Sequence, residues 1–407
     1  MTKDTLKRRL ESQLSRETCK QLLIDLVRVP SPQTALLEAE PQLRRFIEEV
    51  IAPRLSTLGA VCRFDAMGNL IAHLGADTSG RSLMLIGHAM NHPPGGMPDP
   101  YEGNVADGAS LGIAGEVVRG RGASEQKGTL AAMLHALDAL HASGIALTGR
   151  LTFVCCVSGE TGKIDAIRNV VEVEGERADL AFLYGNWLKL ALGNRGRIDM
   201  HVTVHGQPCH SSRPHEGCNA ITGAMEVIRR LTDAFMAPRT HPELGPACLT
   251  INGLHSFPEA THTLQGRCEI AVDRRLLPGD DADACAAKIE AIAMQVDGMK
   301  DPVSGKPFRI AVTRGPVMHP SLIDLDAPVA QRLRRACVTM LGKEPEPYYA
   351  QSAFDQGYLN HVGIPAANYG PGEQSLAHTA NDVASVDRTF DAARVYAFLV
   401  ADYLGGA

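Results

Sequence analysis

The chain has 407 residues, enough for two or three domains at roughly 150 residues each. Apolar residues at 44% and charged residues at 21% are ordinary for a globular protein and exclude disorder and collagen-like arrays. With 40 Lys and Arg against 46 Asp and Glu, the net charge of −6 argues against a general nucleic-acid binder, and no run reaches the roughly 18 apolar residues of a membrane span. The opening MTKDTLKRRLESQLSRE is charged and lacks the apolar core of a signal peptide. Leu6, Leu10, Leu14 and then Cys19, Leu22, Leu23 and Leu26 recur at helical spacing until VPSPQT breaks the pattern. A second amphipathic helix is expected from Glu38 to Thr57. Apolar runs NLIAHLG, SLMLIGH and LTFVCCVS then alternate with helical stretches, including one from Gly128 to Ser143. This order predicts an α/β fold with a mostly parallel sheet flanked by helices.

The pattern changes near Gly196. RIDMHVTVHG alternates apolar and polar residues, as a half-exposed antiparallel strand does. Helix Asn219–Phe235, strands ACLTINGLHS and RCEIAVDRRLL, helix Ala282–Val296 and strand FRIAVTR follow. The order βαββαβ describes a ferredoxin-like sandwich inserted into the first domain. Beyond Pro316 come the helix Pro328–Leu341 and the strand IPAANYG. The expected organisation is a catalytic domain of 1–195 plus 316–407 and a lid or dimerisation domain of 196–315. Ten cysteines without a CxxC pair point to a reducing cytoplasm, and the adjacent Cys155 and Cys156 read as small buried hydrophobes.

Four polar residues stand just past apolar runs, where open α/β sheets build their sites. They are His88 in LMLIGHAMNHPP, Glu125 in GRGASEQKG, Glu160 in FVCCVSGETG and His378 in GPGEQSLAHT. Alone, each has an ordinary structural reading as a loop histidine or a helix-capping carboxylate. Taken together, in this order, they resemble the zinc aminopeptidase-like family that includes acetylornithine deacetylase, succinyl-diaminopimelate desuccinylase, aminoacylase and glutamate carboxypeptidase. The likeness extends through GQPCHSSRPHEGCNAI in the lid to the closing GIPAANYGPGEQSLAHTANDVASV.

The resemblance implies a metal-activated water directed at a C–N bond. It makes His88, Glu125, Glu160 and His378 the metal ligands, with Glu125 in the place of the bridging Asp and also a candidate proton shuttle. His210 matches a histidine that polarises the substrate from the neighbouring subunit, and Arg275 stands where relatives bind the substrate carboxylate. His262 lies near the usual Asn of its motif, and Asn186 replaces a carboxylate ligand. Arg275 has the alternative of pairing with a strand neighbour, and His262 of being merely exposed. The implied partners are a small-molecule substrate and a second copy of the chain, with no nucleic acid or membrane.

The chain also departs from the family pattern. His88-Ala89-Met90 lacks the Asp that orients the metal histidine, and Gly159-Glu160 lacks the Glu that serves as general base. Glu125, Glu160 and His378 would still form one three-ligand set for a single divalent Mn, Zn or Co, whereas His88, Glu125 and Asn186 would make only a weak second one. His92 reads as a loop residue, with replacement of the lost base as the alternative. Such a site suits a substrate already activated towards attack. Hydrolytic deamination of an electron-poor aromatic amine such as 5-nitroanthranilate, chemistry found within the family, is the specific expectation. An amidohydrolase of N-acyl or N-carbamoyl amino acids and a non-catalytic binding relative are the alternatives.

Overall fold

The computed structural model describes residues 2–406 and divides into two compact units. The first comprises Met1–Gly193, Leu322–Tyr349 and Tyr358–Ala407, and the second Asn194–Ser321 with Ala350–Gly357. The second unit therefore runs beyond the expected limit at 315, because strand Arg309–Met318 continues the lid sheet. It also takes in a short segment with no patterning of its own. Arg195 holds that segment by donating to the Gln351 carbonyl and to its Oε1.

In the first unit, strands Arg150–Cys156, Ser82–His88, Leu180–Leu183 and Ala366–Asn368 lie side by side and parallel. Antiparallel strands Val61–Phe64 and Leu70–Leu74 extend one side, and Leu190–Asn194 extends the other. The parallel strands are continuously apolar and almost wholly buried, as expected for strands covered on both faces. Helix Val386–Leu404 packs on helices Gly128–Ala142 and Pro328–Leu341. It is the longest helix among the described residues and has no counterpart in the sequence reading. Its second half, Val395 to Ala401, is buried at every position, so the one-sided stripe that betrays a surface helix is missing. Ser385 marks its start by accepting from the Arg388 amide.

The second unit is a four-stranded antiparallel sheet in the order Leu249–Phe257, Arg267–Leu276, Gly196–His205, Arg309–Met318. Ile198, Met200, Val202 and Val204 alternate onto one face and pack against helices Ala220–Ala234 and Ala282–Met294. Both helices begin where the chain supplies a cap, Asn219 accepting from Ile221 and Asp281 from Asp283 and Ala284. The connectivity is βαββαβ, with an added two-residue hairpin at Thr240–His241 and Gly245–Pro246.

Candidate metal centre

The parallel strands of the first unit all deliver polar groups at their carboxyl ends. His88 ends its strand, Glu160 follows Arg150–Cys156, Asn186 follows Leu180–Leu183, and His378 lies in the loop after Ala366–Asn368. Glu125 stands in a wide turn, Ala123–Lys127, that leads into helix Gly128–Ala142. Gly122 opens that turn with φ +82°, and a Cβ there would lie 2.2 Å from the Asn91 side chain, so only glycine fits.

Ligand atoms of Glu125, Glu160 and His378 all lie within 4.8 Å of one another. His378 Nε2 is 2.6 Å from Glu125 Oε1 and 3.5 Å from Glu160 Oε2. Hydrogen bonding to Glu125 and then to Glu160 pushes the His378 pKa up to about 10. Burial raises Glu125, with the Glu160 charge adding to it, against the His378 hydrogen bond. Glu125 Oε2 is buried without a hydrogen-bond partner. Two carboxylates and an imidazole brought together, with one carboxylate oxygen left unsatisfied, fit a divalent cation, whose charge would replace the proton they now share.

His88 is 2% exposed and sits beside this trio, its Nε2 3.8 Å from Glu160 Oε1. Burial pushes its pKa down to about 4, so the ring is neutral at pH 7. Nδ1 is 2.8 Å from the Met90 carbonyl, which fixes it as the protonated nitrogen and turns the lone pair of Nε2 towards Glu160. A backbone carbonyl two residues on thus orients this histidine, the task the missing Asp would perform. The backbone amide of His88 donates to Gln126 Oε1, and its ring meets Tyr184 edge-on at 5.1 Å.

The absence of a side chain at 159 has a steric cause. A Cβ at Gly159 would fall 2.1 Å from His88 Cδ2 and 2.3 Å from Nε2. The imidazole occupies the space into which a residue at 159 would project.

Asn186 lies on a loop stitched to the His378 loop: Trp187 N donates to Gly372 O, and Gly372 N to Gly185 O. Trp187 Nε1 donates to Glu373 Oε1 at 2.5 Å. Burial would raise the Glu373 carboxyl, but bonds from Trp187, Ser375 and Arg388 outweigh it and hold the group below its usual range.

The lid candidates lie in the second unit. His210 and His262 are exposed on adjoining segments, joined by the Ser211 amide donating to the His262 carbonyl at 3.0 Å. His210 Nδ1 bonds Ser212 Oγ at 2.8 Å. Arg275 pairs with Asp273 on its own strand, Nε to Oδ1 at 3.0 Å and Nη2 to Oδ2 at 3.1 Å. The register sets Arg197 opposite Arg275 and Asp199 opposite Asp273, and Arg197 pairs with Asp199 in the same way. Each arginine is neutralised along its strand while like charges face each other across it.

One contributor escaped the sequence reading, and another has a contact that reading did not foresee. Asp382, fully buried, accepts from the amides of Gly122 at 2.7 Å and Ser124 at 2.9 Å and from Arg121 at 3.2 Å. It fixes the turn that carries Glu125. Its only signal was an acidic residue leading into the apolar VAS. His92 lies in a loop, as read, and also stacks on His378, with ring centroids 4.3 Å apart and planes 15° from parallel. The short segment between His88 and Pro93 cannot carry its histidine away from the cluster, because Asn91 is tied to Ser31 by its amide and its side chain.

Residues 192–298 match the M20 peptidase dimerisation domain. Over 397 residues the chain is 23% identical to the uncharacterized protein YgeY of Escherichia coli K12, covering 94% of each. It is 25% identical over 374 residues to succinyl-diaminopimelate desuccinylase of Phenylobacterium zucineum, covering 87% of this chain and 92% of that one. An M20 family metallo-carboxypeptidase of Sulfolobus solfataricus has the same fold, with a TM-score of 0.74 at 15% identity over 94% of this chain and 98% of the other. The fold is that of the M20 metallopeptidases. Residues 192–298 are similar to the dimerisation domain of that family, and the chain is similar over most of its length to a succinyl-diaminopimelate desuccinylase.

Two substitutions probe the architecture. Gly159→Ala is expected to displace the His88 ring and lower stability by about 1–3 kcal/mol, the usual cost of overpacking, measured by urea unfolding. An unchanged midpoint would mean that 159 has room for a side chain. Asp382→Asn leaves at least one buried amide without its acceptor and is expected to cost about 1–3 kcal/mol. Hydrogen exchange should accelerate at the amides of Gly122 and Ser124.

Proposed function

We propose that the chain is a single-metal hydrolase of a C–N bond in a small carboxylated substrate and works as a homodimer through the M20 dimerisation domain. The observation that carries this reading is the convergence of Glu125, Glu160 and His378, whose ligand atoms lie within 4.8 Å of one another, with one buried Glu125 oxygen left unpaired. These three residues would hold the cation, which supplies Lewis acidity and makes water acidic enough to act as a nucleophile near neutral pH.

The other work falls to the chain's own groups. Glu125 is one methylene longer than the Asp it replaces, and with Oε1 on His378 its free Oε2 is the oxygen available to take a proton from the attacking water. Neutral His88 presents the lone pair of Nε2 beside Glu160, as a further ligand or as an acceptor for a substrate N–H. Asn186 offers an amide to the substrate. In this reading His210 polarises the substrate from the neighbouring subunit, and a substrate carboxylate would compete with Asp273 for Arg275.

The filled space at Gly159 bears on the substrate. With a metal-ligand carboxylate, Glu125, standing in for a dedicated base, whose contribution is typically about 10²–10⁴-fold, the site favours a carbon already activated towards attack. Hydrolytic deamination of an electron-poor aromatic amine such as 5-nitroanthranilate meets that requirement: water adds at the amino-bearing carbon, the ring's withdrawing group accepts the charge, and ammonia leaves. Amide hydrolysis of N-acyl amino acids is the second reading, favoured by the relative named as a desuccinylase. An assay of ammonia and amine release from amino-aromatic acids and N-acyl amino acids, each with Mn, Co and Zn, decides between them. Ammonia from an aryl amine supports the first, amine release from an acyl amino acid the second, and silence across the panel rejects both.

Metal uptake has its own signature. His378 holds its proton at pH 7 in the metal-free chain because its pKa is about 10, so a cation bound at Nε2 must displace it. Affinity should therefore rise with pH, by roughly tenfold per unit, and uptake should release close to one proton at pH 7, measured by calorimetry in buffers of different ionisation enthalpy. His378→Ala and Glu160→Ala should each abolish metal retention and turnover.

A further inference from the structure

His92 is the one residue of the cluster that neither the family resemblance nor the proposed chemistry employs. Its imidazole lies nearly parallel to that of His378, 4.3 Å away, while its own hydrogen bond is a long 3.3 Å contact between Nδ1 and the adjacent Pro93 carbonyl. A metal histidine is ordinarily oriented through its second nitrogen, by a carboxylate or a carbonyl. His88 has such a partner in Met90. Among the described residues no hydrogen bond reaches Nδ1 of His378, its side chain is 44% exposed, and its backbone adopts φ +64°, a region that non-glycine residues rarely enter. Once Nε2 is given to a cation, the bond to Glu125 no longer fixes the ring, and the face-to-face contact with His92 is what sets its plane.

We infer that His92 is a positioning residue that holds the His378 imidazole at the metal centre by stacking, in place of the usual hydrogen bond to the second nitrogen. The inference rests on the metal reading above and adds to it the means by which its most exposed ligand is kept in place. A flat ring is what the position requires. Phenylalanine should serve, whereas asparagine, polar but without a ring, should not.

The test is cobalt affinity of the full chain, by competition with a chromophoric chelator, together with the visible spectrum of the cobalt-loaded protein. His92→Ala and His92→Asn should each bind cobalt about tenfold or more weakly, with altered bands, while His92→Phe stays within about threefold of the parent and keeps its spectrum. Parental affinity and spectrum in His92→Ala would overturn the inference. So would a His92→Phe protein as weak as the alanine variant, which would show that the imidazole acts through its nitrogens. A parent chain that takes up no cobalt would overturn the metal reading and this inference together, an outcome distinct from both.

Discussion

The centre is organised by a charge conflict. Glu125 and Glu160 are both largely withdrawn from water and both approach His378 Nε2, so their mutual repulsion must be answered by positive charge. Without a cation that charge is the His378 proton, and the burial of Glu125 strengthens its demand for one. The surroundings keep the groups in this unfavourable proximity. Asp382 pins the turn before Glu125, Gln126 reaches the amide of His88, and the loops bearing Asn186 and His378 are bonded to each other. Such preorganisation costs stability locally and is sustained by the apolar parallel strands beneath.

Two departures from the family pattern compensate one another. Losing the Asp after His88 would leave that imidazole free to rotate, but the Met90 carbonyl takes its Nδ1 proton. The ring so held fills the volume beside Gly159. The missing orienting residue and the missing base are thus linked by one packing arrangement, in which the imidazole held in this position and a side chain at 159 are mutually exclusive. The longer Glu125 restores an unengaged carboxylate oxygen to the cluster.

Much of this was legible in the chain. The apolar runs located the parallel strands, polar residues just beyond them marked His88, Glu160 and His378 as candidates, and the family resemblance added Glu125, before a helix. Alternation along 196–205 located the lid strand, since an antiparallel sheet with one covered face repeats every two residues. What could not be read depended on contacts distant in sequence. Helix Val386–Leu404 is enclosed on too many sides to show a stripe. The Asp382 bonds span about 260 positions, and the stacking of His92 on His378 joins segments farther apart still. Arg275 was open to two readings. The structure pairs it with Asp273, a contact two residues away that the strand periodicity already allowed.

The pairing of Trp187 with Glu373 has a practical consequence. Trp187 is the only tryptophan in the chain, and its indole donates to a carboxylate in the loop that also carries His378. Indole emission depends on the polarity and quenching groups around it, and here every photon comes from one side chain whose hydrogen bond depends on that loop. The protein therefore contains an intrinsic optical reporter of loop order, readable without labelling.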